Sequence, residues 1–168
     1  LENGEWLVYH ENGQIESKGF YTNGIEAENW FFYYPSGKIK SEGSFIDGLE
    51  EGEWADYYEN GYVKTYEIFE NGKLFDVKMV QDSTGKIKEF GDFQEGTGTY
   101  ITYYDSGEKL AEGNYLQGNQ TGTWIYYTKK GQVSSKGTLK DGKRNGTWTF
   151  YYPSGKTSAE GNYTEDDM

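Results

Sequence analysis

The chain is written as short runs of apolar and polar residues, five to eight long, each closed by a turn signal. The runs are rich in Trp, Tyr, Phe, Ile, Val and Thr, and they are too short for helices, so they read as β-strands. Two kinds of turn alternate between them. The first ends in glycine as ENG, PSG, ENG, STG, DSG, KKG and PSG, and the second as TNG, IDG, ENG, QEG, LQG and KDG. Pro35 and Pro153 each open a turn of the first kind, where a fixed φ near −65° suits a type I corner. The glycine that follows supplies the positive φ that closes a three-residue hairpin loop with a bulge.

The pattern recurs. WFFYYPSGKIKSEG at 30–43 returns as WTFYYPSGKTSAEG at 148–161. Aligned on the first aromatic of that phrase, units begin at Trp6, Trp30, Trp54, Lys78, Tyr100, Trp124 and Trp148, 24 residues apart except for one interval of 22. With that residue as position 0, position 7 is glycine throughout: Gly13, Gly37, Gly61, Gly85, Gly107, Gly131 and Gly155. Position 13 is glycine in every unit but the third, where Glu67 stands, and position 18 is glycine in all but the last, where Asp166 stands. Tyrosine holds position 3 in six units.

Such self-similarity predicts an all-β repeat array over residues 1–168: an elongated stack of about seven hairpins with period 24, about fourteen strands in one twisted antiparallel meander sheet, and no helix. Closing the first turn at positions 5–7 sets position 3 against position 9. That pairs Tyr9 with Ile15, Tyr33 with Ile39, Tyr57 with Val63, Tyr127 with Val133 and Tyr151 with Thr157, aromatic mostly against β-branched. Strict alternation from there gathers the odd positions into one apolar face, including position 15 (Tyr21, Phe45, Phe69, Phe93, Tyr115, Leu139, Tyr163). It puts the Trp ladder on the other, amphipathic face. The candidate binding-face aromatics are Trp6, Trp30, Tyr34, Trp54, Tyr58, Tyr104, Trp124, Trp148 and Tyr152. Packing accounts for most rings at fixed repeat positions, and an extended row of them is also how repeat arrays offer a binding surface.

Units three and four, over 54–99, are degenerate: Glu67 and Asp76 replace glycines, Lys78 replaces the Trp, Gln81 the Tyr, and two residues are missing near Glu95–Gly98. Drift, or a kink between two half-arrays, accounts for this more simply than a hinge or contact site, because nothing reactive clusters there.

Composition narrows the function. Apolar burial must come from rings, with 17 Tyr, 9 Phe and 5 Trp in 168 residues. A formal charge of −12 opposes phosphate backbones and anionic lipid surfaces, so nucleic acid is excluded as a partner and direct membrane insertion is not expected. No stretch is apolar and long enough to cross a bilayer as a helix. Without cysteine there is neither disulfide nor thiolate metal site, and the redox compartment stays open. The start LENGEW, with Gly4 already in repeat register, suggests a chain that begins inside a longer protein or after a removed leader, cytoplasmic or exported. The acidic end TEDDM is expected to discourage further strand pairing. His10 is the one histidine and replaces a position-4 Tyr. No constellation for catalysis, cofactor or metal appears, so an enzyme is not expected.

The phrases EGSFIDGLEEGEW (42–54), EGNYLQGNQTGTW (112–124) and KGTLKDGKRNGTW (136–148) resemble the MORN repeat. The family's spaced glycines match Gly43, Gly48 and Gly52; Gly113, Gly118 and Gly122; and Gly137, Gly142 and Gly146, and the resemblance covers nearly all of the chain. The W-x-x-Y-Y-x-x-G continuation is similar to the bacterial variant of the repeat found in YwqK-family antitoxin proteins. The resemblance implies an all-β stack of hairpins that serves as a protein-interaction scaffold, antitoxin-like or immunity-like, masking a basic partner with an acidic surface. A cell-surface glycan-binding repeat, or a spacer in a larger protein, is the alternative.

Overall fold

The computed structural model describes the backbone of residues 1–166 and the side chains of residues 1–164. Every regular element among them is a strand. The first seven are β1 (Gly4–Tyr9), β2 (Ile15–Thr22), β3 (Ile25–Tyr33), β4 (Ile39–Ile46), β5 (Leu49–Tyr57), β6 (Val63–Glu70) and β7 (Lys73–Val80). The next six are β8 (Gly98–Tyr103), β9 (Lys109–Leu116), β10 (Asn119–Tyr127), β11 (Val133–Lys140), β12 (Lys143–Tyr151) and β13 (Thr157–Asp166). Within each sheet the strands pair antiparallel with their neighbours in sequence, giving a seven-stranded sheet β1–β7 and a six-stranded sheet β8–β13. The chain divides into two compact units, Leu1–Ile87 and Lys88–Met168.

The all-β hairpin meander is therefore present, in two sheets where the sequence suggested one. The place of the missing fourteenth strand is the degenerate stretch. Residues 81–97 make only isolated bridges, Gln81 to Ile87, Gly91 to Tyr100 and Gln94 to Thr97. At the acidic end residues 164–166 continue β13, with Asp166 opposite Arg144 of β12, and β13 is the edge strand of its sheet. Asp167 and Met168 lie outside the described residues.

Both turn types follow from their residues. In the second turn the residue before glycine also has positive φ, as in Asn23–Gly24 (54° and 79°) and Asp141–Gly142 (52° and 80°). Two such residues make the type I′ turn whose twist matches the strands it joins. In the first turn Gly13 N–H donates to the His10 carbonyl at 2.9 Å with φ of 83°, and the equivalent glycines repeat the bond.

The register beside the first turn pairs position 3 with position 9: Tyr9 with Ile15, Tyr33 with Ile39, Tyr57 with Val63, Tyr127 with Val133, Tyr151 with Thr157. One step further the strands slip. Phe32 faces Ser41, so Lys40 has no partner, and Tyr126 faces Ser135, so Ser134 has none. This bulge moves position 13 opposite position 0, as Trp30 opposite Gly43 and Trp124 opposite Gly137. Position 15 consequently shares the Trp face. The expected face made of positions 3, 9 and 15 together does not form.

Candidate functional site

One face of each sheet is its core. Trp30, Trp54, Trp124 and Trp148 are buried, from 8% down to 0% exposed, and Trp6 on the edge strand β1 is 43% exposed. Each buried indole lies over the position-13 glycine of the preceding repeat. A Cβ on Gly19 would stand 2.0 Å from the Trp30 ring, on Gly43 2.1 Å from Trp54, on Gly113 2.3 Å from Trp124 and on Gly137 2.3 Å from Trp148. None of these four glycines has positive φ, so ring space and not backbone conformation demands them. The indole N–H also donates to the carbonyl beside that glycine, as Trp148 to Thr138 at 3.0 Å and Trp30 to Phe20 at 3.3 Å. Position-15 rings fill the gaps edge-on. In the first unit Tyr21, Trp30, Phe45 and Trp54 follow one another at 5.1, 6.1 and 5.1 Å between centroids, the geometry that ring quadrupoles favour.

At the joint between the third and fourth repeats both partners are absent. Glu67 occupies position 13 of the third repeat, and Lys78 stands where the next Trp would cover it. β6 and β7 then pair by a different route, with Glu67 opposite Val77 and two separate bulges. Gly91 is no longer a ring socket, since a Cβ there would meet the Thr99 carbonyl oxygen at 2.1 Å.

The position-4 side chains tie successive repeats along the turn edge. Tyr34 Oη donates to the Tyr57 carbonyl at 2.7 Å, Tyr58 to Gln81 at 3.0 Å and Tyr104 to Tyr127 at 2.8 Å. His10 Nε2 makes the same contact with the Tyr33 carbonyl at 2.9 Å. Tyr152 is 57% exposed. Of the nine candidate binding aromatics, then, four Trp are core, three Tyr are tethers between repeats, and Trp6 and Tyr152 are the ones that solvent reaches freely. The seven turn glycines all have φ between 75° and 93°.

The accessible face is the opposite one, and the sequence reading did not single it out. Alternation puts positions 1 and 12 there, and the register makes them one transverse row. Across the first unit this row runs Leu7, Lys18, Phe31, Glu42, Ala55, Tyr66, Met79. In the second unit it runs Ile101, Glu112, Ile125, Lys136, Thr149, Glu160. In the first unit the row deepens into an open groove of about 770 Å³, with Phe31, Ala55 and Met79 on its floor and Tyr57, Tyr66 and Val63 beside them. Glu42, Glu51 and Glu53 supply negative charge.

Hydrogen bonds hold these groups in place. Tyr57 Oη donates to Glu42 Oε1 at 2.6 Å, and Asn71 N–H donates to Glu51 Oε2 at 2.8 Å. The bond to Glu42, with burial, pushes the Tyr57 phenol up to about 12. Tyr66 is raised by its hydrogen bond to Glu53. Tyr127 repeats the arrangement on Glu112 in the second unit, and burial followed by that bond pushes it up to about 12. At the positions of Glu51 and Glu53, however, the second unit has Thr121 and Thr123. The charge follows the same division: residues 1–87 carry 17 Asp and Glu against 7 Lys, and residues 88–168 carry 11 against 9 Lys and Arg. Of the total of −12, the first unit holds −10.

Among the described residues no group of three or more His, Asp or Glu could hold a metal ion. Among the described residues no helix is long and apolar enough to cross a membrane.

The model of the MORN repeat variant matches residues 2–23, 29–47, 97–117 and 144–165, together half of the chain. These segments fall on the regular repeats and leave out most of the degenerate stretch. No curated protein matches the sequence.

Proposed function

Because the chain belongs to the MORN repeat variant family, whose repeats are associated in general with protein or membrane-lipid binding, we propose that it is a non-enzymatic protein-interaction scaffold for a cationic partner. The family is not an enzyme family. The observation that carries the reading is the coincidence, in the first unit, of the open groove with most of the chain's negative charge. Such a surface steers a basic protein toward it and repels anionic lipid headgroups, which favours the protein side of the family's range. An antitoxin-like or immunity-like role follows as the finer reading, in which the acidic face masks a basic surface of the partner. Glycan binding through the Trp ladder loses support, because the indoles that would stack on a sugar ring are spent on glycines of the core.

The test is capture of a partner on the immobilised chain, with elution in steps of rising salt. The scaffold reading expects a basic protein released between low and high salt. Retention of glycan or wall fragments alone, indifferent to salt, would replace it with surface binding, and an empty column would leave a spacer.

A further inference from the structure

We propose that the groove of the first unit binds a basic, proline-containing segment of the partner, extended in the left-handed three-fold conformation and lying across the strands. This deepens the scaffold reading, on which it rests, by naming the site and the form of the ligand.

Three features of the groove point there. The first is its course. It crosses β3 to β7, four interstrand spacings or ~19 Å at ~4.8 Å each. That length takes about six residues of extended chain at ~3.1 Å each. The second is what the backbone offers. Strands β3 to β6 are hydrogen-bonded to neighbours on both sides, so a peptide crossing them gains no ladder and must be held by side chains. The polyproline II conformation needs no ladder, because its backbone makes no internal or sheet hydrogen bonds.

The third is spacing. Phe31, Ala55 and Met79 recur on every second strand, ~10 Å apart, with Glu42 and Tyr66 between them. In polyproline II, residues three apart lie on one face ~9.3 Å apart, close to that repeat. In a flat β-strand, same-face residues fall ~6.7 or ~13 Å apart and miss it. A ligand with an apolar residue at every third position therefore seats its anchors on the floor and turns the residues between them toward the rims. Rings of Phe31, Tyr57 and Tyr66 suit proline, as in other aromatic-lined grooves that take such segments. Glu42, Glu51 and Glu53, each already oriented by a donor within the sheet, suit Arg or Lys between the anchors. The second unit is the contrast within the same molecule, with Thr121 and Thr123 in place of two of those carboxylates.

The experiment uses the full chain and a fluorescent fifteen-residue peptide repeating Arg-Pro-Leu, with fluorescence anisotropy as the readout at physiological salt. Two control peptides have the same composition in scrambled order, and Glu in place of Arg. The groove proposal expects saturable binding of the periodic peptide, at least fivefold tighter than the scrambled one, and none of the Glu peptide. Glu51→Thr with Glu53→Thr, which copies the second unit, should weaken binding at least fivefold while circular dichroism shows the strand fold retained. Met79→Arg should abolish binding by placing a cation on the floor. Equal binding of the periodic and scrambled peptides, or an unchanged affinity in the double Thr variant, would overturn the proposal. A salt-released partner that the double Thr variant still captures would sink the groove and leave the scaffold standing. If the parent chain captures no partner at all, the scaffold reading itself has failed.

Discussion

The indole of Trp148 occupies the space that a side chain on Gly137 would need, with ring atoms 2.3–2.5 Å from where its Cβ would be. The same relationship links four Trp–Gly pairs, and it turns a flat hairpin array into one with a ring core on one face. Gly161 holds the equivalent position in the last repeat and has open space around it. Gly137→Ala should therefore cost about 1–3 kcal/mol through forced displacement of the ring. Gly161→Ala should be neutral or slightly stabilising, since Ala restricts the unfolded chain more than Gly. Urea unfolding of the two variants decides it, and equal effects would show that the contact does not control stability.

Burial grades the tryptophans in the same way. Trp148→Ala removes a fully buried indole and is expected to cost roughly 3–5 kcal/mol. Trp6→Ala, at an edge strand and 43% exposed, should cost less than half of that. The part of the fluorescence that acrylamide quenches readily should likewise disappear in Trp6→Phe and persist in Trp148→Phe, and loss of it in both alike would contradict this grading.

The joint between the third and fourth repeats offers a repair. Glu67→Gly alone opens an unfilled socket, and Lys78→Trp alone drives a ring against Glu67. Together they restore the pair seen at the regular joints, so the double variant should be more stable than the sum of the singles by about 1–3 kcal/mol in a double-mutant cycle. Additivity would mean that the altered register of β6 and β7 is set by something else.

Two titrations have predictable signs. The Tyr57 and Tyr127 phenols are raised to about 12 in the fold, so their contribution is intact below the ordinary phenol value near 10 and is lost as pH rises from 10 through 12. Phenolate absorbance should show tyrosines that ionise late, together with loss of strand signal. Glu50 is also raised, first by burial and then by the charge of Asp56, so its carboxylate opposes folding once it ionises. Glu50→Gln should stabilise at pH 7, and the advantage should vanish as pH falls below 4.5, the carboxyl's ordinary value. A gain that does not depend on pH would contradict this account.

Much of the fold was legible from the turns. PSG and IDG name their turn types, and the loop length pairs Tyr33 with Ile39 without further information. The face assignment was not legible. It depends on the residue skipped just beyond that pair, which is Glu16, Lys40, Lys64, Leu110, Ser134 or Ser158 in different repeats. With no shared chemistry at the bulge, nothing in the sequence announces the change of parity that carries Phe45 to the Trp side. The joint loss of Gly at 67 and Trp at 78 was visible, but only the register shows the two positions to be partners. The groove escaped notice for a related reason. Its floor residues Phe31, Ala55 and Met79 share a position without sharing a residue type, and the repeat signal lies in the residues that do.

The central claim is that the partner meets the face carrying Phe31, Ala55, Tyr66 and Met79, and not the Trp ladder. The most direct measurement is chemical-shift mapping of the isotope-labelled chain titrated with the periodic Arg-Pro-Leu peptide. The account predicts saturable shifts at Phe31, Glu42, Ala55, Tyr66 and Met79, with the indole N–H signals of Trp30 and Trp54, on the other face of the same sheet, unmoved. Shifts centred on the indoles, or spread evenly over both units, would contradict it.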